Sequence, residues 1–353
     1  MTTGVDLSRA FHRDVVAPLL ARAFPGLRYA AARLGSGSDV LGYDDARSRD
    51  HDWGCRLTLL VDGADRAAVG PVHATLAGEL PDTYRGHPVR FPTTWSPEPT
   101  HEVEVATVGD FAASRLGVDP VPGLTTVDWL LVTGQGVLEV TAGAVFADTT
   151  TELGPVRSAL GWYPAEVERY VLAAGWGRLG ERLQFVGRTA QTGQDRQSRL
   201  LAAELVADLT QLAFLLARRW APYEKWTERA LPGAEELAGP LNAALDAGDW
   251  HGREDGLVAA AEVLLDRQRA RGLPTPEVGV STFWDRPYRM IDPAVTAVLL
   301  DGLTDPVLAA LPTGLGGIGQ WVDNVDILAH PARRATLAAA YRAWSDPRLT
   351  GHP

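Results

Sequence analysis

The 353-residue chain is 46% hydrophobic and 22% charged, an ordinary balance for a folded protein, and is long enough to hold two separate cores. Its formal net charge of −11 and pI near 5.2 argue against a protein that tracks a nucleic-acid backbone, because neutralising phosphates needs a dense basic face. An acidic balance suits a small nucleotide with magnesium, or a cationic co-substrate.

Val5 to Phe24 places Val15, Val16, Leu19, Leu20 and Ala23 at helical spacing, with Pro25-Gly26 as its stop and Pro18 as a point of kinking or splitting. A short strand over Leu27 to Leu34 then runs into the turn Gly35-Ser36-Gly37-Ser38. Gly37 lets the backbone come close to a phosphate, and Ser38 offers a hydroxyl and an amide at the start of an expected helix, where exposed N–H groups favour an anion. Asp39, Asp44 and Asp45 read as turn or cap residues. After an eleven-residue spacer come Asp50 and Asp52. At positions i and i+2 of a strand these carboxylates share one face, so they can hold a pair of magnesium ions, while His51 and Trp53 face the other way. Cys55 to Val61 continues as a buried apolar strand bounded by Asp62-Gly63. Cys55 is the single cysteine, which excludes an intrachain disulfide and a cysteine zinc cluster.

A Gly-Ser turn followed by Asp-x-Asp resembles the signature of the polymerase-β-like nucleotidyltransferase superfamily. Ser48 ahead of the pair, with Arg49 interposed, matches the S-x-D-x-D variant of small antibiotic nucleotidyltransferases. The chain is also similar to a bacterial family of nucleotidyltransferase-like proteins through Asp50-His51-Asp52-Trp53-Gly54 and the later run Arg218 to Trp226. The resemblance implies a third carboxylate that ligates one metal and takes the proton of the attacking hydroxyl. In the strand candidate His101 to Val108, Glu102 and Glu104 share a face; the resemblance favours Glu104, placed mid-strand, while Glu102 also reads as a solvated strand end.

Beyond Pro120 and Pro122, Thr125 to Thr133 is a short amphipathic segment and Val137 to Phe146 has partial strand character. Asp148 and the three threonines after it make a polar break, so a boundary near residue 155 divides the chain into 1–154 and 155–353. From Pro164 onward the pattern is helical: Val167, Tyr170, Val171 and Ala174 form one stripe, and Leu200, Leu201, Leu205, Leu209, Leu212, Leu215 and Leu216 a later one. Arg188, Gln191, Gln194, Asp195 and Arg199 recur between them as polar helix positions, open to a substrate contact or to solvent. Leu257 to Arg271 and Ala332 to Trp344 are further amphipathic helices. Gly314 to Gly319 matches G-x-G-x-x-G by letter, but no strand precedes it, and it reads as a loop.

Of 33 basic residues only Lys225 is lysine. Its compact ammonium suits a triphosphate contact, with Trp220, Tyr223 and Trp226 at hand to stack on a base; retention by chance on a solvated surface is the alternative. The expectation is therefore an α+β chain, with a polymerase-β-like nucleotidyltransferase domain (small mixed sheet with helices) followed by an all-α helical bundle. Its expected activity is two-magnesium transfer of an NMP group from an NTP, ATP in first place, to a small-molecule hydroxyl, with release of pyrophosphate. Asp50, Asp52 and Glu104 are the expected metal and catalytic residues, and Gly37, Ser38 and Lys225 the nucleotide contacts. A nucleotide-binding regulatory protein, an antitoxin-like partner or a degenerate nucleotidyltransferase fold remain alternatives. No basic, apolar and small-residue leader pattern opens the chain and no apolar run reaches membrane-spanning length, so a cytoplasmic protein without membrane or nucleic-acid partners is expected.

Overall fold

The computed structural model describes residues 3–45, 53–93 and 96–346. The aspartate pair Asp50 and Asp52, with Ser48, Arg49 and His51, lies outside the described residues. In chain order the elements of the first half are α1 (Gly4–Phe11), a π-helical turn (His12–Val16), α2 (Ala17–Ala23), β1 (Tyr29–Ala32), β2 (Leu57–Val61), α3 (Val69–Glu79), β3 (Thr83–Tyr84), β4 (His87–Pro88), β5 (Arg90–Thr93), β6 (Ser96–His101), β7 (Val103–Thr107), α4 (Val108–Leu116), α5 (Thr126–Leu131), α6 (Gly134–Thr141), β8 (Val145–Asp148) and α7 (Leu153–Ala159). The second half is led by α8 (Ala165–Gln191), α9 (Asp195–Leu216), α10 (Thr227–Ala230), α11 (Ala234–Asp246), α12 (Trp250–Ala270), β9 (Val280–Thr282), β10 (Arg289–Ile291) and α13 (Pro293–Leu300). The protein is thus mixed α+β with a small mixed sheet. The chain forms two compact units, one of Met1–Leu124 with Gln135–Gly161, the other of Thr125–Gly134 with Trp162–Pro353.

In the first unit, Thr3 caps α1 by accepting from the Asp6 amide, and its hydroxyl donates to the Asp6 carboxylate. Pro18 neither ends nor splits the helical stretch. It occupies the first turn of α2, where its missing N–H is harmless, and the π turn just ahead absorbs the misfit. The sheet runs β7-β2-β1-β8, with β2 parallel to β7 and antiparallel to β1, and β1 antiparallel to β8. All five residues of β2 are buried, which is why that stretch reads as a continuous apolar run. A parallel neighbour requires a crossover, and α3 with the small β strands supplies it between β2 and β7. Leu7, Phe11, Leu19 and Leu20 from the first helices pack with Leu57, Leu59, Val72, Leu76 and Val103 into one core.

Two local expectations are corrected here. Val137 to Thr141 is helical within α6, since Gly136, Val137 and Val140 are buried at helical rather than alternate spacing; only Val145–Asp148 is strand. The segment after Ser38 is a hydrogen-bonded turn rather than a helix start: Gly42 N–H donates to Asp39 O at 3.1 Å and Tyr43 N–H to Ser38 O at 2.7 Å.

The second unit is helical apart from the β9–β10 hairpin, and α8, α9, α11, α12 and α13 share a core that includes Trp176, Leu183, Leu205, Leu212, Leu241, Leu264 and Leu299. Of the leucine stripe on α9, Leu200 is outside, 53% exposed, while Leu201, Leu205, Leu209, Leu212 and Leu216 are buried. The polar residues between the stripes do not share a helix. The chain turns at Thr192–Gln194, with Gly193 at φ 80°, and the polar groups are spent on intramolecular partners: Arg188 on Gln184, Gln191 on Tyr288, Asp195 on Arg199 and Arg253. Gly314 to Gly319 is a loop that enters the 3-10 turn Ile318–Gln320, tied down by Gln320, whose Oε1 accepts from Gly317 N and whose Nε2 donates to Val171 O. No helix among the described residues is long and apolar enough to cross a membrane.

Candidate active site

The Gly-Ser turn leaves the end of β1, and what shapes it is Arg33. This side chain is 3% exposed, donates Nε and Nη2 to the two carboxylate oxygens of Asp39 at 2.8 and 2.9 Å, and donates to the carbonyls of Leu34 and Ser36 at 2.6 and 2.9 Å. One guanidinium therefore spans the turn from both sides. Gly37 has φ 141°, and a Cβ there would overlap Asp39 Oδ1 and Arg33 Nη2. Glycine is needed at this position to admit the ion pair, whatever else it does for a ligand. Gly35, with φ 81°, is fixed by its N–H to Glu139 O at 2.8 Å. Asp44 accepts from the Gly4 amide at the start of α1, a contact to a helix forty residues away and not to a local amide of its own spacer.

Glu104 stands on β7 in register with Thr58 of β2, and alternation along β7 buries Val103 and exposes Glu104. Its side chain is 42% exposed, and Nη2 of Arg115, from the last turn of α4, donates to both its oxygens at 2.9 and 2.8 Å. Arg115 also pairs with Glu139 at 3.2 Å, lies over the Phe111 ring, and brings Nη2 within 3.4 Å of where a Gly35 side chain would begin. Glu139, Arg115 and Glu104 thus connect the backbone of the turn to the carboxylate on β7. Thr58 Oγ1 accepts from the Leu34 amide at 3.3 Å, tying the start of the turn to β2.

A cavity of about 420 Å³ opens here, bordered by Arg33 and Leu34 at the foot of the turn, Arg56 to Thr58 at the start of β2, His73 on α3, and Thr100 to Val105. Both Glu102 and Glu104 line it. Among the described residues no group of three or more His, Cys, Asp or Glu is placed to hold a metal ion. His101, 8% exposed, is pushed below the usual histidine pKa by burial, with His73 and the Arg90 charge adding to the effect.

Lys225 sits in the 3-10 turn Glu224–Trp226 of the second unit, its Nζ 5.1 Å from the Trp226 ring centre, with Arg229 at 5.8 Å from the same ring. Trp220 belongs to an aromatic cluster with Trp129, Trp162 and Tyr163 rather than to an open stacking face, and Tyr223 is 51% exposed. Sequence reading passed over Arg33, Arg115 and His101. Each gains its importance from a partner distant in space or set by turn geometry, and no local pattern marks it.

Residues 129–227 match a family model described as a domain of unknown function, DUF4037. A solved nucleotidyltransferase-like protein from Exiguobacterium sibiricum is similar at 12% identity over 75% of this chain and 77% of its own, with a TM-score of 0.35. No curated protein matches.

Proposed function

We propose that the protein is a metal-dependent nucleotidyltransferase that moves an NMP group from an NTP, with ATP as the first choice, to a small-molecule hydroxyl and releases pyrophosphate. The observation that supports this reading is the cavity bordered by Glu104, by Arg33 and Leu34 at the foot of the Gly-Ser turn, and by Arg56 to Thr58. Glu104 fits a magnesium ligand in kind, being a hard carboxylate on a cavity wall, exposed enough to rearrange. Asp50, Asp52 and Glu104 would hold two magnesium ions. When bound, these would stabilise charge on the phosphoryl oxygens of the transferring group.

The chain's own groups divide the remaining work. Gly37 and Ser38 offer backbone amides and a hydroxyl to the outer phosphates, on a turn held rigid by Arg33 and Asp39. Glu104 accepts the proton of the attacking hydroxyl once Arg115 gives way.

A second reading, nucleotide binding without transfer, draws on one feature: both Glu104 oxygens are already taken by Arg115. Pyrophosphate release from each NTP with pooled hydroxyl-bearing metabolites separates the two. Turnover that falls at least about a hundredfold in both Asp50→Asn and Asp52→Asn, with folding intact, supports transfer, since about 3 kcal/mol of transition-state stabilisation corresponds to that factor. Nucleotide binding with no release from any NTP would leave the second reading standing.

A further inference from the structure

Among the described residues three arginines approach the Gly-Ser turn, and each meets it differently. Arg33, 3% exposed, donates to both oxygens of Asp39, and Arg115 is shared between Glu104 and Glu139. Arg56 reaches the turn from the residue before β2: its Nη1 donates to Ser36 O at 3.4 Å, a long bond to a neutral carbonyl that a charged acceptor can replace. The Arg56 side chain is half-buried and borders the cavity of about 420 Å³ together with Arg33, Thr58 and Glu104. Its backbone is fixed from two directions. Ser8 Oγ, from α1, donates to Arg56 O at 2.5 Å, and the Leu57 amide donates to Glu102 O at 3.0 Å. A planar guanidinium on so fixed a base suits a multiply charged oxyanion, because its donors can be shared between neighbouring phosphate oxygens. Glu102 and Glu104 disfavour an anion beside them, so its place in the cavity is by Arg56 and the turn.

We propose that Arg56 binds the outer phosphates of the nucleotide, exchanging its long bond to Ser36 O for phosphate oxygens beside the Gly-Ser turn. The proposal rests on the nucleotidyltransferase reading for taking this cavity as the nucleotide site. It assigns Arg56 to the polyphosphate and not to the nucleoside, so inorganic tripolyphosphate, which carries no nucleoside, is the probe.

Calorimetric titration of the full chain with tripolyphosphate and magnesium compares wild type, Arg56→Gln and Arg56→Lys. Arg56→Gln should bind about tenfold to a hundredfold more weakly, the effect of losing a charge-assisted hydrogen bond, and Arg56→Lys, which keeps the charge, should bind more tightly than Arg56→Gln. The gap between wild type and Arg56→Gln should narrow as ionic strength rises, since salt screens an accessible charge contact. Hydrogen exchange of the Gly42 and Tyr43 amides, which are bonded within the turn, should stay within about threefold of wild type in both variants. Absent tripolyphosphate binding in wild type, equal affinity in wild type and Arg56→Gln, or an Arg56→Lys no better than Arg56→Gln overturns the contact. So does a gap that salt leaves unchanged, or faster exchange of the turn amides than that limit, which would mean that Arg56 only braces the turn. These titrations need no turnover, so an Arg56-dependent affinity without pyrophosphate release from any NTP would sink the enzyme reading alone.

Discussion

Replacing Arg33 by methionine removes the charge that spans the Gly-Ser turn while keeping most of the packing volume. Asp39, whose side chain is only 11% exposed, is then left with an unpaired carboxylate, and the carbonyls of Leu34 and Ser36 each lose a donor. Breaking a buried pair from one side costs about 3–5 kcal/mol. Water can reach the exposed Ser36, so the lower end of that range, about 3 kcal/mol, is expected for opening the turn. The Gly42 and Tyr43 amides report on it directly, because they donate to Asp39 O and Ser38 O within the turn. Their hydrogen exchange should accelerate roughly a hundredfold, at about 1.4 kcal/mol for each factor of ten. Arg33→Met combined with Asp39→Leu should recover much of the protection, since no charge is left stranded. Gly37→Ala should resemble Arg33→Met, because its Cβ occupies the space of the ion pair. Exchange in Arg33→Met within about threefold of wild type, or a double variant no better protected than the single, would refute the assignment of the turn's rigidity to this pair.

Asp62 accepts from the Thr151 amide, the Ala64 amide and the Thr151 hydroxyl and pairs with Arg28, and the Thr151 amide is foremost in holding its pKa below 3.8. Its contribution is complete above the unfolded value and is lost as pH falls through the folded one, so Asp62→Asn should flatten stability against pH below about 4; unchanged acid sensitivity in unfolding titrations would count against it. Arg115→Ala removes the cation that occupies both Glu104 oxygens, and magnesium binding without nucleotide should tighten by up to about tenfold in calorimetry, whereas weaker binding would show that Arg115 holds Glu104 in its ligating position. Lys225→Ala should weaken binding of a nonhydrolysable NTP and Lys225→Arg should recover it in part, because a planar fork replaces a compact ammonium poorly; unaltered affinity in the alanine variant would remove Lys225 from the site.

The elements whose burial follows from local pattern were legible. The β2 run is buried throughout and apolar but for Thr58, and the α8 and α9 stripes repeat at helical spacing, so periodicity alone located them. Pattern failed where chemistry and context compete. The β-branched residues of α6 suggest a strand, yet Gly136, Val137 and Val140 are buried at helical spacing, and Leu200 fits the stripe by number while being exposed. Asp39 and Asp44 read as turn or cap residues, but the side-chain partners of both, Arg33 and the Gly4 amide, were invisible. An arginine at the end of a strand carries no mark that its guanidinium will be buried beneath the next turn.

That hidden pair changes what the Gly-Ser turn can do for an anion. Arg33 is the positive charge nearest the turn in sequence, but Asp39 already matches it, so it contributes little net attraction to a phosphate. Attraction at the turn then falls to backbone amides, to Arg56, whose Nη1 donates to Ser36 O at 3.4 Å, and to Arg115, which stands beside Gly35 with Glu104 and Glu139 as its carboxylate partners. If a metal ion draws Glu104 away, one of those partners is removed and the charge on Arg115 is only partly balanced, on the side of the turn where the outer phosphates of a nucleotide would lie. Metal binding at Glu104 and phosphate binding at the turn would then reinforce each other through a single guanidinium. Removing Arg115 should accordingly move the two affinities in opposite directions, tightening magnesium and weakening nucleotide, an outcome that a purely structural role for this arginine would not produce.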